Sequence, residues 1–178
     1  VSHTPLAKLF PGRNEIITCM AVSKTFNLAG MMIATVIIPD AELRAEWKRR
    51  HYPFVNPLSL AAATGAYRDG EAWLEALREY LDGNFAFMRH YLSRVLPEAR
   101  FQVPQATYLA WVDLSAYFDE SINLTRFFLE QAGLILEGGE MFVENGTQCV
   151  RLNLACPRTI LEDALARFAI AVDAYCRK

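Results

Sequence analysis

The sequence predicts an α/β protein that ends in a smaller α+β lobe, and three observations lead to this prediction. Two β-branched, apolar segments near the start, residues 16–23 (IITCMAVS) and 33–38 (IATVII), are typical of strands buried on both faces. A long apolar stripe with helical spacing follows them, and shorter strand-like and helix-like segments come after it. The 178 residues, 53% of them hydrophobic, are enough for one good-sized domain or one and a half small ones.

Composition excludes several classes of function. The net charge is −2 and no basic stripe is present, which argues against nucleic acid or an anionic membrane as a partner. Apolar runs such as 31–39 are shorter than the ~20 residues of a spanning helix, and no signal peptide is recognised at the start. We expect the four cysteines to be reduced, three of them in or near the core, in a cytoplasmic protein. The three histidines show no ligand spacing, so we expect no metal site.

The first half of the chain is expected to contain two strands followed by two helices. The segments 16–23 and 33–38 are joined by a short polar connection, so we expect them to be neighbours in one sheet. Asp40 predicts the N-cap of a helix over 41–50, with acidic residues early and basic residues late. After the prolines of HYPFVNP, small residues predict a helix over 58–67 that ends near Asp69-Gly70.

A single long helix is the clearest element. Its apolar residues follow one another at intervals of three and four, over about seven turns that end at Pro97. They are Leu74, Leu77, Leu81, Phe85, Met88, Leu92 and Val95.

The remaining segments predict a small α+β lobe with the order β-α-β-β-α. Strands are expected at Tyr108–Asp113, Leu134–Leu136 and Val150–Leu154, and helices at Ser121–Gln131 and Thr159–Cys176. Thr159 and Glu162 have the spacing of a capping box at the start of the last helix.

Lys24 is the main candidate for chemistry. It directly follows a predicted buried strand, at the kind of sheet edge where α/β proteins bind ligands. Ser23, Thr25 and Asn27 surround it with groups that can hold an anion, and a lysine in such a place suits Schiff-base chemistry. The alternative is a lysine in an ordinary turn after a strand, and spacing alone favours that alternative.

The amino-acid sequence of the same segment resembles that of a known enzyme family. CMAVSKTFNLAG (19–30) resembles the cofactor-lysine segment of fold-type I pyridoxal-phosphate (PLP) enzymes. In particular it resembles the class I/II aminotransferase family in its cystathionine β-lyase-like (C–S β-lyase) branch. Further segments fit in the same order, so the resemblance covers nearly the whole chain: PQATYLAWVDL (104–114), the loop from Gly138-Gly139 to Gly146, and CVRLNLACPRTILEDALARF (149–168).

The resemblance implies a role for each matching residue. Lys24 would bind pyridoxal 5'-phosphate covalently and then act as general base and acid at the substrate Cα, while Ser23 would hydrogen-bond the cofactor phosphate. Arg151 in VRLN would bind the α-carboxylate of an amino-acid substrate, although a surface arginine on a strand is the alternative. Asn56 resembles a position near the dimer interface and a neighbouring phosphate, and Arg158 is expected to be structural.

The stretch after Lys24 differs from the pattern of classical aminotransferases. Classical aminotransferases carry a phosphate-binding arginine several residues after the lysine, whereas Met31 and Met32 stand in that stretch here. The departure favours the lyase-like branch.

The implied fold is the C-terminal part of a fold-type I PLP-dependent enzyme. We expect residues 1–86 to be the end of the large α/β/α domain and 87–178 to be the small α+β C-terminal domain, in a homodimer. The 23 residues before Lys24, in which only Glu15 is acidic, have no room for the family's phosphate loop, stacking aromatic ring or pyridine-binding aspartate. The chain is therefore expected to be the C-terminal portion of such an enzyme.

Three functions remain open from the sequence. The first is a PLP-dependent C–S β-lyase that converts cystathionine-like amino acids to pyruvate, ammonia and a thiol. The second is a class I/II aminotransferase, which uses the same residues. The third is a non-catalytic fragment that lacks the N-terminal half of the cofactor site. A PLP-sensing transcription regulator is a minor option, because it would need an N-terminal DNA-binding module that is not found in this sequence.

Overall fold

The computed structural model describes residues 3–51, 54–142 and 146–177. They form two compact units, which are divided in sequence between Leu77 and Arg78. This division falls inside a helix of 25 residues. The predicted domains, 1–86 and 87–178, stay a prediction.

The first unit combines helices with one small sheet. Its elements in chain order are α1 (Leu6–Leu9), β1 (Thr18–Met20), α2 (Val22–Thr25), a 3-10 turn (Ala29–Met31), β2 (Thr35–Ile37), α3 (Ala41–Arg50) and α4 (Pro57–Asp69). The next helix, α5 (Glu71–Val95), begins in this unit.

The two strands of the first unit pair with each other, as predicted. They are antiparallel, with Cys19 opposite Val36. The prediction that both are buried is wrong, since Met20 and Ile37 are exposed. In the described residues each strand is three residues long and pairs with the other alone, and its side chains are exposed or at most half-buried.

Helices α3 and α4 begin at capping residues. Asp40 accepts a hydrogen bond from the Leu43 amide at 2.7 Å, which confirms the predicted N-cap and the bounds of α3. Asn56 caps α4 by accepting from the Leu58 amide at 2.9 Å, with Pro57 in the first turn, where a missing N–H costs nothing. Helix α4 ends at Asp69, with Gly70 as its C-cap, close to the predicted end.

Helix α5 follows the predicted stripe over most of its length. Phe85, Met88 and Leu92 are buried in the core of the second unit. The last position is wrong: Val95 is exposed, and the following residue, Leu96, is buried in its place.

The second unit contains a four-stranded antiparallel sheet in the order β3-β4-β6-β5. Its elements are β3 (Arg100–Phe101), β4 (Leu109–Asp113), α6 (Leu124–Ala132), β5 (Glu137–Gly138), a 3-10 turn (Gly139–Met141), β6 (Cys149–Asn153) and α7 (Arg158–Cys176). The sequence missed β3 and placed β5 at 134–136, since two-residue strands carry no measurable alternation.

Alternation along the two central strands decides which side chains face the core. Ala110 and Val112 of β4 and Val150 and Leu152 of β6 are buried, together with side chains of α5, α6 and α7. Phe128 and Phe168 stack at the centre of this core, with ring centroids 4.3 Å apart. Because successive strand residues point to opposite faces, Arg151 lies on the other face of the sheet.

The ends of α6 and α7 differ from the predictions. Asn123 caps α6 by accepting from the Arg126 amide, so the helix begins three residues after Ser121. The capping box at Thr159 is wrong. Pro157 precedes the first helical residue, Arg158, and Thr159 therefore lies inside the first turn.

The cysteines are all free, but they are less buried than predicted. Cys149 and Cys156 are half-buried. Cys19 on strand β1 and Cys176, the last residue of α7, are both exposed. Among the described residues, none of the helices has the length and apolar character that crossing a membrane requires.

Candidate functional site

Lys24 lies on a four-residue helix. Strand β1 ends at Met20, and Lys24 is the third residue of α2, so it does not follow the strand directly, as the sequence had suggested. Its side chain is exposed, and no described residue pairs with its amine. The lysine is therefore available for covalent chemistry.

Apolar contacts within the first unit hold α2 in place. Val22 is buried. Phe26, at the C-terminal end of α2, stacks on Trp73 with ring centroids 6.0 Å apart and meets Tyr67 edge-on at 6.2 Å. These contacts fix the backbone that carries Lys24 against α4 and the start of α5.

Ser23 immediately precedes Lys24 and is half-buried. Its carbonyl accepts a hydrogen bond from the Leu28 amide at 2.9 Å, which closes the turn after α2. Within this turn Asn27 has a φ of 54°, a left-handed conformation that asparagine tolerates better than most residues. The hydroxyl has no described partner, and its role as a phosphate ligand stays a prediction.

Asn56 lines a cavity of 370 Å³ in the first unit. The cavity is bordered by Met31, Met32 and Ser59. The Asn56 side-chain oxygen caps α4, which leaves its NH₂ group as the donor available to a ligand. Lys24 is not among the residues around this cavity, so the structure does not bring the two together there.

Arg151 lies in the middle of β6, in the second unit. It is opposite Trp111 of β4 and Glu137 of β5. Its Nε donates to Glu137 Oε2 at 2.6 Å, and its Nη2 donates to the same oxygen. The guanidinium also lies over the Phe142 ring, with Cζ 4.2 Å from the ring centroid. Its side chain is 28% exposed, so solvent and small molecules can reach it.

The glycines of the loop after β5 explain its shape. A Cβ on Gly139 would lie 2.1 Å from the Gly146 carbonyl oxygen and 2.9 Å from Cys149 Cβ. Only glycine allows the backbone to approach this closely. The Gly138 amide donates to Thr125 Oγ1 at 2.9 Å, which ties β5 to α6.

Arg158 joins α7 to α5, in agreement with the structural role expected for it. Its Nε donates to Asn84 Oδ1 at 2.9 Å, and its backbone amide donates to the Tyr80 hydroxyl at 2.7 Å. Asn84 is fully buried and also donates to the carbonyls of Leu154 and Cys156. This network fixes the segment that follows β6.

The sequence had not singled out three residues of these two clusters. Glu137 and Phe142 contact Arg151, and Asn84 holds the chain after it. Asn84 had a detectable signal: it is a polar residue on the apolar stripe of α5, next to Phe85. Glu137 had none, because its contact depends on how β5 pairs with β6.

Burial changes the pKa of two thiols in the second unit. Desolvation raises the pKa of Cys156. It also raises the pKa of Cys149, where the charge of Asp113 adds to the effect and a hydrogen bond to Trp111 opposes it. Both thiols are therefore poor nucleophiles at neutral pH.

Comparison with known proteins finds relatives over almost the whole chain. The cystathionine beta-lyase PatB of Bacillus subtilis is 35% identical over 176 residues, which is 96% of this chain and 46% of the relative. Protein MalY of Escherichia coli is 34% identical over 97% of the chain and 45% of its own length. The chain therefore spans less than half the length of these relatives.

Solved structures give the same result. The PLP-bound C-S lyase of Staphylococcus hominis matches with a TM-score of 0.92 and 43% identity, over 97% of this chain and 46% of that one. Cystalysin of Treponema denticola, whose crystal structure contains pyridoxal 5'-phosphate, matches with a TM-score of 0.91 at 26% identity. The fold is that of the fold-type I PLP-dependent enzymes, as predicted.

The family model for class I and II aminotransferases matches residues 2–168. This range contains Ser23, Lys24, Asn56 and Arg151. The chain belongs to the class I and II aminotransferase family.

Proposed function

We propose that the protein is a pyridoxal-phosphate-dependent C–S β-lyase of the cystathionine β-lyase type. The observation that carries the proposal is the similarity, over 96% of the chain, to a relative named for this activity. A PLP-bound C-S lyase structure at 43% identity supports it independently.

The residues around Lys24 fit the cofactor. The lysine amine is exposed and has no described partner, as covalent attachment requires. The neighbouring Ser23 hydroxyl also has no described partner and suits a phosphate oxygen. Asn56 lines a cavity that does not include Lys24, and there it offers an NH₂ donor to a neighbouring phosphate. Pyridoxal phosphate, when bound, supplies the electron sink that makes the substrate Cα–H acidic.

Lys24 and Arg151 would carry out different parts of the reaction. The Lys24 amine would accept the proton from the substrate Cα and return a proton later, because a tethered amine is far more effective than one in solution. Arg151 would bind the substrate α-carboxylate through charge-assisted hydrogen bonds, which the planar guanidinium can make in pairs.

The proposed reaction removes a proton from Cα and a thiolate from Cβ. The Cβ–S bond breaks and its electron pair leaves with sulfur, which becomes a thiol after protonation. The remaining enamine takes up water and gives pyruvate and ammonia. The family's name favours aminotransferase chemistry as the second candidate, which begins with the same Cα proton and the same two residues.

Product analysis distinguishes the two reactions. We expect the PLP-loaded full-length protein to release pyruvate, ammonia and a thiol from cystathionine. Formation of the corresponding keto acid, with the amino group passed to an added acceptor, would instead establish an aminotransferase.

Two variants test the residue assignments. Lys24→Ala should lower the rate by at least about 10³-fold, because it removes the group that moves the proton. Arg151→Ala should lower kcat/KM by about 10- to 100-fold, mainly through KM, since it removes charged hydrogen bonds to the substrate. Unchanged kinetics in either variant would refute that residue's assignment.

We also propose a homodimer in the cytoplasm. Several large apolar side chains of the first unit are exposed, which favours association with further protein surface: Leu6, Leu9, Phe54, Leu58 and Leu60. The four free cysteines favour a reducing compartment. Light scattering of the full-length protein tests the dimer, and a monomer at high concentration would refute it.

A further inference from the structure

Arg151 is at the centre of a cluster on the outer face of the second unit's sheet. Pairing between the strands places Trp111 on one side of it and Glu137 on the other. Phe142 completes the cluster: its ring lies under the guanidinium and meets the Trp111 ring edge-on, with centroids 5.9 Å apart. The guanidinium is therefore held by Glu137 at one edge and by the Phe142 ring at one face.

The contact with Glu137 uses only one edge of the guanidinium. A single carboxylate oxygen, Oε2, accepts from both Nε and Nη2 of Arg151. An arginine side chain has five N–H groups, of which this contact takes two. The other three lie on Nη1 and on the far side of Nη2.

The remaining edge has the geometry that a second carboxylate needs. Two parallel N–H groups, one on Nη1 and one on Nη2, form the fork that binds carboxylates in bidentate fashion. Within the part of the chain that the structure describes, no group accepts a hydrogen bond from Nη1. Glu137 and a carboxylate ligand can therefore bind the same guanidinium without competing for its donors.

The position of Glu137 is itself fixed. Strand β5 pairs with β6, so that Gly138 is opposite Val150. The Gly138 amide is also tied to Thr125 of α6. Glu137 thus holds a flexible arginine side chain to a rigid part of the fold, which lowers the conformational freedom that ligand binding would otherwise remove.

We propose that Glu137 is a positioning residue, which fixes the Arg151 guanidinium so that its free edge can bind the substrate α-carboxylate. This inference rests on the proposed function, in which Arg151 binds that carboxylate. Glu137 acts through Arg151 and does not itself contact the substrate.

The test measures kinetics with cystathionine on the PLP-loaded full-length protein. Glu137→Ala should raise KM by about 10-fold and leave kcat within about twofold, since it loosens the arginine without touching the reacting atoms. Glu137→Gln should restore KM to within about threefold of the wild type, because its amide oxygen still accepts from Nε.

A matched control removes a surface ion pair elsewhere in the same unit. Glu130 pairs with Arg126 at 2.7 Å on α6 and is half exposed. Glu130→Ala should leave KM and kcat unchanged. If Glu137→Ala behaves like Glu130→Ala, or if Glu137→Gln is as impaired as Glu137→Ala, the positioning role is overturned.

Arg151→Ala, measured in parallel, separates this inference from the proposed function. A raised KM in Arg151→Ala with a normal KM in Glu137→Ala would overturn the role of Glu137 alone. A normal KM in Arg151→Ala would overturn the carboxylate assignment and the positioning role together. A loss of melting temperature in Glu137→Ala without a change in KM would show that the ion pair is only structural.

Discussion

The two units differ in how their candidate residues are held. Arg151 lies on a central strand whose other face is packed against a continuous core, and its guanidinium has defined partners. Lys24 lies on a short helix in a unit where, among the described residues, the buried side chains are Val22, Ile38, Ser59 and Ala63. This chain therefore determines the surroundings of the arginine, whereas it supplies the lysine mainly with a backbone position.

The core of the second unit should give the largest effect on stability. Phe168 is fully buried and stacks on Phe128. Phe168→Ala should lower the free energy of unfolding by about 3–5 kcal/mol, because it removes packing and leaves a cavity. Chemical denaturation measures this change.

Ile170 on the same helix is the control, since it is 67% exposed. Ile170→Ala should change the free energy of unfolding by less than about 0.5 kcal/mol. Equal effects of the two substitutions would show that the core of the second unit is not the one described.

The network around Asn84 should give the next largest effect. Asn84→Ala removes the donor to the buried carbonyl of Leu154 and to that of Cys156, and the acceptor for Arg158. We expect a loss of about 3 kcal/mol, since each unsatisfied buried group costs about 1–3 kcal/mol. Asp82→Ala, at an exposed position of the same helix, should be close to neutral in the same denaturation experiment.

Substitution of two glycines, one in each unit, tests how tightly the backbone is packed there. A methyl group on Gly139 would collide with backbone, so Gly139→Ala should destabilise by about 1–3 kcal/mol. A methyl group on Gly65, inside α4, would meet no described atom within 4 Å apart from the local backbone of its own helix. Gly65→Ala should stabilise by about 0.5–1 kcal/mol, because alanine is the better helix former.

Thermal unfolding of both variants measures the difference. Opposite signs are expected for the two shifts in melting temperature. A tolerated Gly139→Ala would contradict the close approach of Gly139 to Gly146.

Local signals explain what the sequence could predict. The Asp40 cap, the small residues of α4 and the stripe of α5 gave helices close to those observed, because each depends on residues within a few turns. The false capping box at Thr159 has a local cause as well. Pro157 fixes an extended backbone one residue before the helix, which starts earlier than the box requires.

Contacts between distant residues could not be predicted in this way. Glu137 meets Arg151 across 14 positions of sequence, through a strand of two residues. The burial of residues 16–23 was overestimated for a similar reason. An apolar strand shows only that its faces can be covered, and in the described residues Cys19 and Met20 of β1 are exposed.

Borohydride reduction of the PLP-loaded full-length protein tests most directly whether Lys24 is the cofactor lysine. Reduction fixes the cofactor to the lysine that holds it, and peptide mapping identifies that lysine. Within this chain the candidates are Lys8, Lys24, Lys48 and Lys178. We expect label on Lys24 alone of these four. Label on Lys8 or Lys48, or spread over all four, would contradict this assignment.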